Sequence, residues 1–117
     1  MRGVRAESGL QLVAVTRFPL AREYRPSLWP DVVPELDRAA LAVARRQGGE
    51  VRSPETVTIG GRQARRYEIA YTDGGKPLVE RVAFVLREKT EYLLLCRYEA
   101  GGDTRACERL LATFRLT

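Results

Sequence analysis

Between Arg62 and Tyr98 apolar and polar residues alternate in three successive runs, a pattern that predicts a three-stranded antiparallel meander. In the first run Tyr67, Ile69 and Tyr71 alternate with Arg66, Glu68, Ala70 and Thr72, the period-2 signature of a strand with one better-buried face. Asp73-Gly74-Gly75-Lys76 follows, and a central Gly-Gly supplies the positive φ that a two-residue hairpin needs. That turn sets Tyr71 opposite Leu78, Tyr67 opposite Val82 and Glu68 opposite Arg81. The next return lies between Arg87 and Glu91. A two-residue Glu88-Lys89 turn would force positive φ on side chains poorly suited to it, which favours a three-residue loop closed by Arg87 opposite Glu91. This register puts Tyr92, Leu94, Cys96 and Tyr98 on the face of Val82, Phe84 and Leu86, and Arg97 beside Arg81; a one-residue slip would exchange the faces. Tyr67, Ile69, Val82, Phe84, Leu94 and Cys96 then share one face, with Ala70, Val79, Ala83, Val85, Leu93 and Leu95 on the other, so both faces need cover.

The flanking segments supply that cover. Met1 to Gly9 is polar and reads as frayed, whereas Leu10 to Phe18 alternates as a strand that joins the meander or its edge. Pro19 to Pro30 reads as an irregular connection bearing Tyr24, Leu28 and Trp29. Pro34 to Gln47 predicts a helix: proline suits the first turn, Glu35 and Asp37 lie near the start, Arg45 and Arg46 near the end, and Gly48 is placed to cap it. Its stripe of Leu36, Ala39, Ala40, Val43 and Ala44 is small enough to approach a sheet closely, over the face carrying Ala70 and Ala83. Thr56 to Ile59 is a short strand, and Gly60-Gly61 a second hairpin that pairs Val57 with Ala64 and Glu55 with Arg66. After Gly101-Gly102, Asp103 serves as N-cap to a last helix, Thr104 to Phe114, with Cys107, Leu110, Leu111 and Phe114 on one stripe. The expected fold is α+β: a four- to five-stranded antiparallel meander sheet with two helices on opposite faces, an α/β/α sandwich. The alternative places both helices on one face and a second copy on the other.

Composition narrows the field. At 117 residues and 44% hydrophobic the chain suffices for one domain, and no linker or repeat divides it. No apolar run approaches the roughly 20 residues of a membrane helix. The chain as given carries no address, which reads as cytoplasmic, or extracytoplasmic if an N-terminal signal has been trimmed. The net charge of +5 rests on 18 Arg and 2 Lys against 15 acids, with no Asn and no His. These bases stand singly or in pairs between acids rather than as one patch, a pattern that argues against nucleic-acid binding.

Thr56 to Leu116, in particular VTIGGRQARRYEIAY, then a long hairpin, EYLLLCRY, a Gly-Asp bend and a closing ERLLATFRL, resembles the PsbP-like superfamily. That superfamily includes the photosystem II extrinsic protein, a Ran-binding nuclear import factor and actinobacterial lipoproteins of the LpqN type. The resemblance implies an α/β/α sandwich on a twisted antiparallel sheet, begun by an N-terminal strand pair for which this sequence offers no counterpart. It implies no catalytic residue, since the superfamily has no shared catalytic motif.

The chemistry of the side chains agrees with a non-enzymatic role. With no His, and with Ser8, Ser27 and Ser53 all outside a G-x-S-x-G setting, no hydrolase triad assembles. Both Gly-Gly pairs lie between strands rather than before a helix, so no phosphate loop is present. Two Cys without His make no metal site, and no cofactor is expected. Cys96 and Cys107 are brought together by the Gly101-Gly102 return, which is compatible with a disulfide or with two buried thiols. Trp29 and Tyr24 are the candidate contact residues, weighed against a reading as plugs of the core. The expected function is a non-catalytic binding or interaction domain for a protein or a small apolar ligand; the alternative is a self-associating structural domain that forms a homodimer.

Overall fold

The computed structural model describes residues 2–4 and 12–114. In chain order these form β1 (Arg2–Val4), β2 (Leu12–Tyr24), a 3-10 turn (Pro26–Leu28), α1 (Trp29–Gln47), β3 (Glu50–Ile59), β4 (Arg62–Asp73), β5 (Lys76–Glu99) and α2 (Arg105–Thr113). The strands make one antiparallel sheet in the order β1-β2-β5-β4-β3. The fold is α+β, with a helix on each face of the sheet.

Both Gly-Gly turns set the register that their chemistry predicts. Tyr71 lies opposite Leu78, Tyr67 opposite Val82 and Glu68 opposite Arg81 across β4 and β5. Val57 lies opposite Ala64 and Glu55 opposite Arg66 across β3 and β4. Of the N-terminal stretch read as frayed, Arg2–Val4 pair with Val13–Val15; Met1 and residues 5–11, including the expected strand start at Leu10, lie outside the described residues.

β5 is 24 residues of extended chain, which would reach about 80 Å if straight. The whole molecule measures 42 Å along its longest axis, so β5 must double back. The Ala100 amide donates to the Pro77 carbonyl at 3.0 Å, and Glu88 has φ 52°, which together put the reversal at Glu88-Lys89. This corrects the expected three-residue loop. The two-residue turn sets Glu80 opposite Arg97, where the longer loop would have set Arg81 beside Arg97, and a favourable cross-strand charge pair replaces a repulsive one. It also moves the second arm over by one residue: Leu94 and Cys96 share a face with Ala83 and Val85, and Leu93 and Leu95 face α1. The first arm (76–85) pairs with β4, and the second (88–97) with β2.

Helix α1 begins five residues before the expected Pro34, and the segment read as irregular is mostly ordered: β2 runs on to Tyr24 and Trp29 opens the helix. Pro30 occupies the first turn, and Pro34 lies inside the helix. A proline there costs a backbone hydrogen bond, and the burial of Trp29 and Leu36 with Val32 and Val33 packed against the same core offsets it. At the far end Gly48 has φ 68°, and the Gly49 amide donates to the Ala44 carbonyl at 2.8 Å, a left-handed cap as expected. Gly49 is required for another reason: a Cβ there would stand 2.6 Å from the Ala70 carbonyl oxygen.

Leu36, Ala40 and Ala44 press on Tyr67, Ile69, Tyr71, Leu78, Val82 and Phe84, not on the Ala70 and Ala83 face expected for them. The large aromatic and aliphatic side chains of the sheet interlock with the small stripe of the helix. On the opposite face Ala64, Ala83, Val85 and Leu94 pack with Leu110, Leu111 and Phe114. Asp103 caps α2 from one position further out than expected: Thr104 is the boundary residue, and the Arg105 amide donates to Asp103 Oδ1 at 2.9 Å.

Candidate functional site

Helix α1 covers β3, β4 and the first arm of β5, which leaves a groove along its other flank. The groove holds about 580 Å³ between the end of β2, the start of α1 and the turn of β5. Leu20, Leu28, Val32, Leu36, Ala39 and Leu86 supply its apolar surface, and Arg22, Glu23, Tyr24, Asp31, Glu35 and Glu91 its polar one. Burial raises the pKa of the Glu91 carboxyl above the ordinary glutamate value. It also raises that of the Tyr24 hydroxyl, with the nearby Arg62 charge opposing. Further along the same flank, Val43, Arg46, Gln47, Val82, Leu93 and Leu95 line a smaller apolar hollow of about 300 Å³.

The two candidate contact residues separate. Tyr24 is half-buried and lines the groove. Trp29 does not: it is 7% exposed and belongs to the core under α1, as the plug reading had it. The lining contributed by residues 20–28 was missed because residues 19–30 read as loop. No clear alternation marks 20–24, and Pro19 just before it reads as a break, so the pairing of β2 through Pro19 was not legible.

Two polar clusters between α1 and the sheet also escaped the sequence. Asp37, expected near a helix start, is in mid-helix and accepts the Tyr67 hydroxyl at 2.6 Å and the Arg65 Nε at 3.0 Å. Burial alone would raise the Asp37 pKa, but the hydrogen bonds from Tyr67 and Arg65 and the Arg65 charge outweigh it and hold it below the usual value. Burial and the Asp37 carboxylate both push the Tyr67 hydroxyl upward. The second cluster centres on Glu80, 2% exposed, whose Oε1 accepts the Tyr71 hydroxyl and the Gln47 amide, both at 2.8 Å. Its Oε2 is buried without a hydrogen-bond partner among the described residues. An acid within the alternation Leu78, Glu80, Val82, Phe84 was the readable sign of it.

On the α2 face the sulfurs of Cys96 and Cys107 stand at bonding distance, with Cα atoms 5.4 Å apart, ordinary disulfide geometry for the backbone. Beyond α2 that face is polar: Arg66 pairs with Glu55, Arg81 pairs with Glu68 at 3.5 Å, and the Arg81 guanidinium lies 5.3 Å from the Tyr98 ring centre. Among the described residues no group of His, Cys, Asp or Glu is arranged to hold a metal ion, and no helix is long and apolar enough to cross a membrane.

No known sequence family matches the chain, and no curated protein does. Among solved structures, it is similar to that of PA94 from Pseudomonas aeruginosa, a protein of unknown function. The TM-score is 0.59 at 15% identity, over 89% of this chain and 83% of that one. A likeness at that identity concerns the fold alone.

Proposed function

We propose that this chain is a non-catalytic binding domain of the PsbP-like kind, and that the groove beside the first half of α1 is where it receives a ligand with an apolar body. The observation that carries this reading is the groove itself. At about 580 Å³ it lies within the roughly 300–1,000 Å³ range of small-molecule sites, and apolar side chains from three elements converge on it. The PsbP-like reading is supported by the antiparallel β1–β2 pair at the N-terminus, which the sequence did not suggest. A non-catalytic role is supported by the engagement of Asp37 with Tyr67 and Arg65, which ties α1 to the sheet, and of Asp103 in capping the start of α2.

Self-association through an open sheet face is the weaker reading, because α1 packs on one face and α2 on the other, and the sheet edge offers little instead. The edge strand β3 carries Glu50, Arg52 and Pro54, Ser53 has φ 53°, and the register shifts between Arg52 and Glu55; these are devices that protect an edge from pairing. Titration with N-phenyl-1-naphthylamine, an uncharged fluorescent apolar probe, tests the groove. Saturable one-to-one enhancement is expected, lost when Ala39→Trp fills the site. Enhancement that never saturates, or that the substitution leaves intact, would remove the groove as the binding site.

A further inference from the structure

The charge around the groove runs against the charge of the chain. Overall, 20 basic residues outnumber 15 acidic ones, yet the groove is lined by Glu23, Asp31, Glu35 and Glu91 against Arg22, with Arg62 outside the lining but near Tyr24. Glu23 is already paired with Arg25 at 3.5 Å. The other three carboxylates have no hydrogen bond or ion pair among the described residues. Asp31, in the first turn, and Glu35 stand one turn apart on α1, so two like charges project along the same side of the helix. Glu91 sits across the groove on the second arm of β5, half-buried, and burial is the influence that shifts its carboxyl.

We propose that the occupant of the groove is a cationic amphiphile: a small molecule with an aliphatic or aromatic body and a protonated amine or quaternary ammonium head. The body lies on Leu20, Leu28, Val32, Leu36 and Leu86, and the head among Asp31, Glu35 and Glu91. Tyr24, also in the lining, is an aromatic of the type such a head favours. A fatty acid carboxylate of the same shape would be repelled by the same three groups, and an uncharged ligand would bury Glu91 further with nothing to compensate it. The inference rests on the groove reading above and adds the sign of the ligand's charge.

Three probes with one tail and different heads separate the two: decyltrimethylammonium, decanol and decanoate, each titrated calorimetrically into the full chain below its micellar concentration and at low salt. The expected order is ammonium, then alcohol, then carboxylate, with at least a tenfold gap between the first and second. Glu91→Gln, and separately the exposed pair Asp31→Asn with Glu35→Gln, should each narrow that gap severalfold while circular dichroism and melting temperature stay close to wild type. Equal affinity for the three heads, preference for decanoate, or an ammonium preference that both variants leave intact would overturn the charge assignment and spare the groove. Absence of saturable binding by all three would overturn both. The second variant involves exposed side chains only, so the test survives if Glu91→Gln fails to fold.

Discussion

On one face of the sheet a 19-residue helix buries Trp29, Leu36, Ala40 and Ala44 against six large side chains of β4 and β5. On the other a 9-residue helix buries only Cys107 fully, with its sulfur at bonding distance from that of Cys96 on the sheet. The difference follows from length. Isolated helices shorter than about 12–15 residues are marginal in water, so α1 can be held by burial along several turns whereas α2 needs an anchor. It also explains where a ligand could enter. Because α1 lies over β3, β4 and the first arm of β5, the second arm and the end of β2 are left as the wall of a groove. On the α2 face the area beyond the helix is closed by ion pairs between Arg66, Glu55, Glu68 and Arg81.

The comparison breaks most readily at Trp29. If α1 is held by burial, Trp29→Ala should cost about 3–5 kcal/mol, the usual range for an aromatic core truncation. Urea unfolding at neutral pH measures it. A cost below about 1 kcal/mol together with lost probe binding would instead make Trp29 a contact residue and would leave the anchoring of α1 unexplained.

The α2 face should respond to redox chemistry, and the α1 face should not. Replacing Cys96 and Cys107 by Ala removes a crosslink spanning 11 residues, with an expected loss of about 2–3 kcal/mol. Hydrogen exchange should accelerate across Arg105–Thr113 while Trp29–Gln47 keeps its protection. Thiol titration of the denatured, unreduced protein should find no reactive thiol. Two reactive thiols, or equal loss of protection in both helices, would dissolve the distinction between the faces.

Much of the sheet pairing is legible in the sequence, and the parts that are not have physical causes. The Gly-Gly turns announced themselves because positive φ at two adjacent positions is a demand few residues meet, and five cross-strand pairs followed from them. Glu88 was misjudged by the same logic. It takes φ 52° in a position where glycine is the natural choice, at a strain of about 1–2 kcal/mol. Because both faces of β5 are apolar, hydrophobic pattern could not distinguish one register from the other. The cue that could have done so was electrostatic: Glu80 can meet Arg97 only across the shorter turn. The groove was hidden by Pro19, Pro26 and Pro30, which punctuate 19–30 as a loop, although tertiary pairing carries β2 through Pro19 and burial carries α1 through Pro34.

The smallest expected effect sharpens how α1 is seated. Asp37 reaches from α1 to Tyr67 and Arg65, so it adds a polar clamp to a contact that is otherwise apolar. Its pKa is lowered in the folded state, so the clamp contributes fully above the unfolded aspartate value of about 4 and is lost as pH falls through the lower folded value. With the Asp37 side chain 39% exposed, solvent screening limits the contribution, and Asp37→Asn should cost about 1 kcal/mol at neutral pH. Unfolding of wild type and variant by urea across pH 7 to 2.5 checks the sign: the gap between them should shrink on the acid side, because the wild-type carboxyl then becomes neutral too. A gap that stays constant would mean that shape, and not charge, seats the helix there. A gap that widens in acid would reverse the sign of the linkage and remove the Arg65 and Tyr67 contacts as its cause.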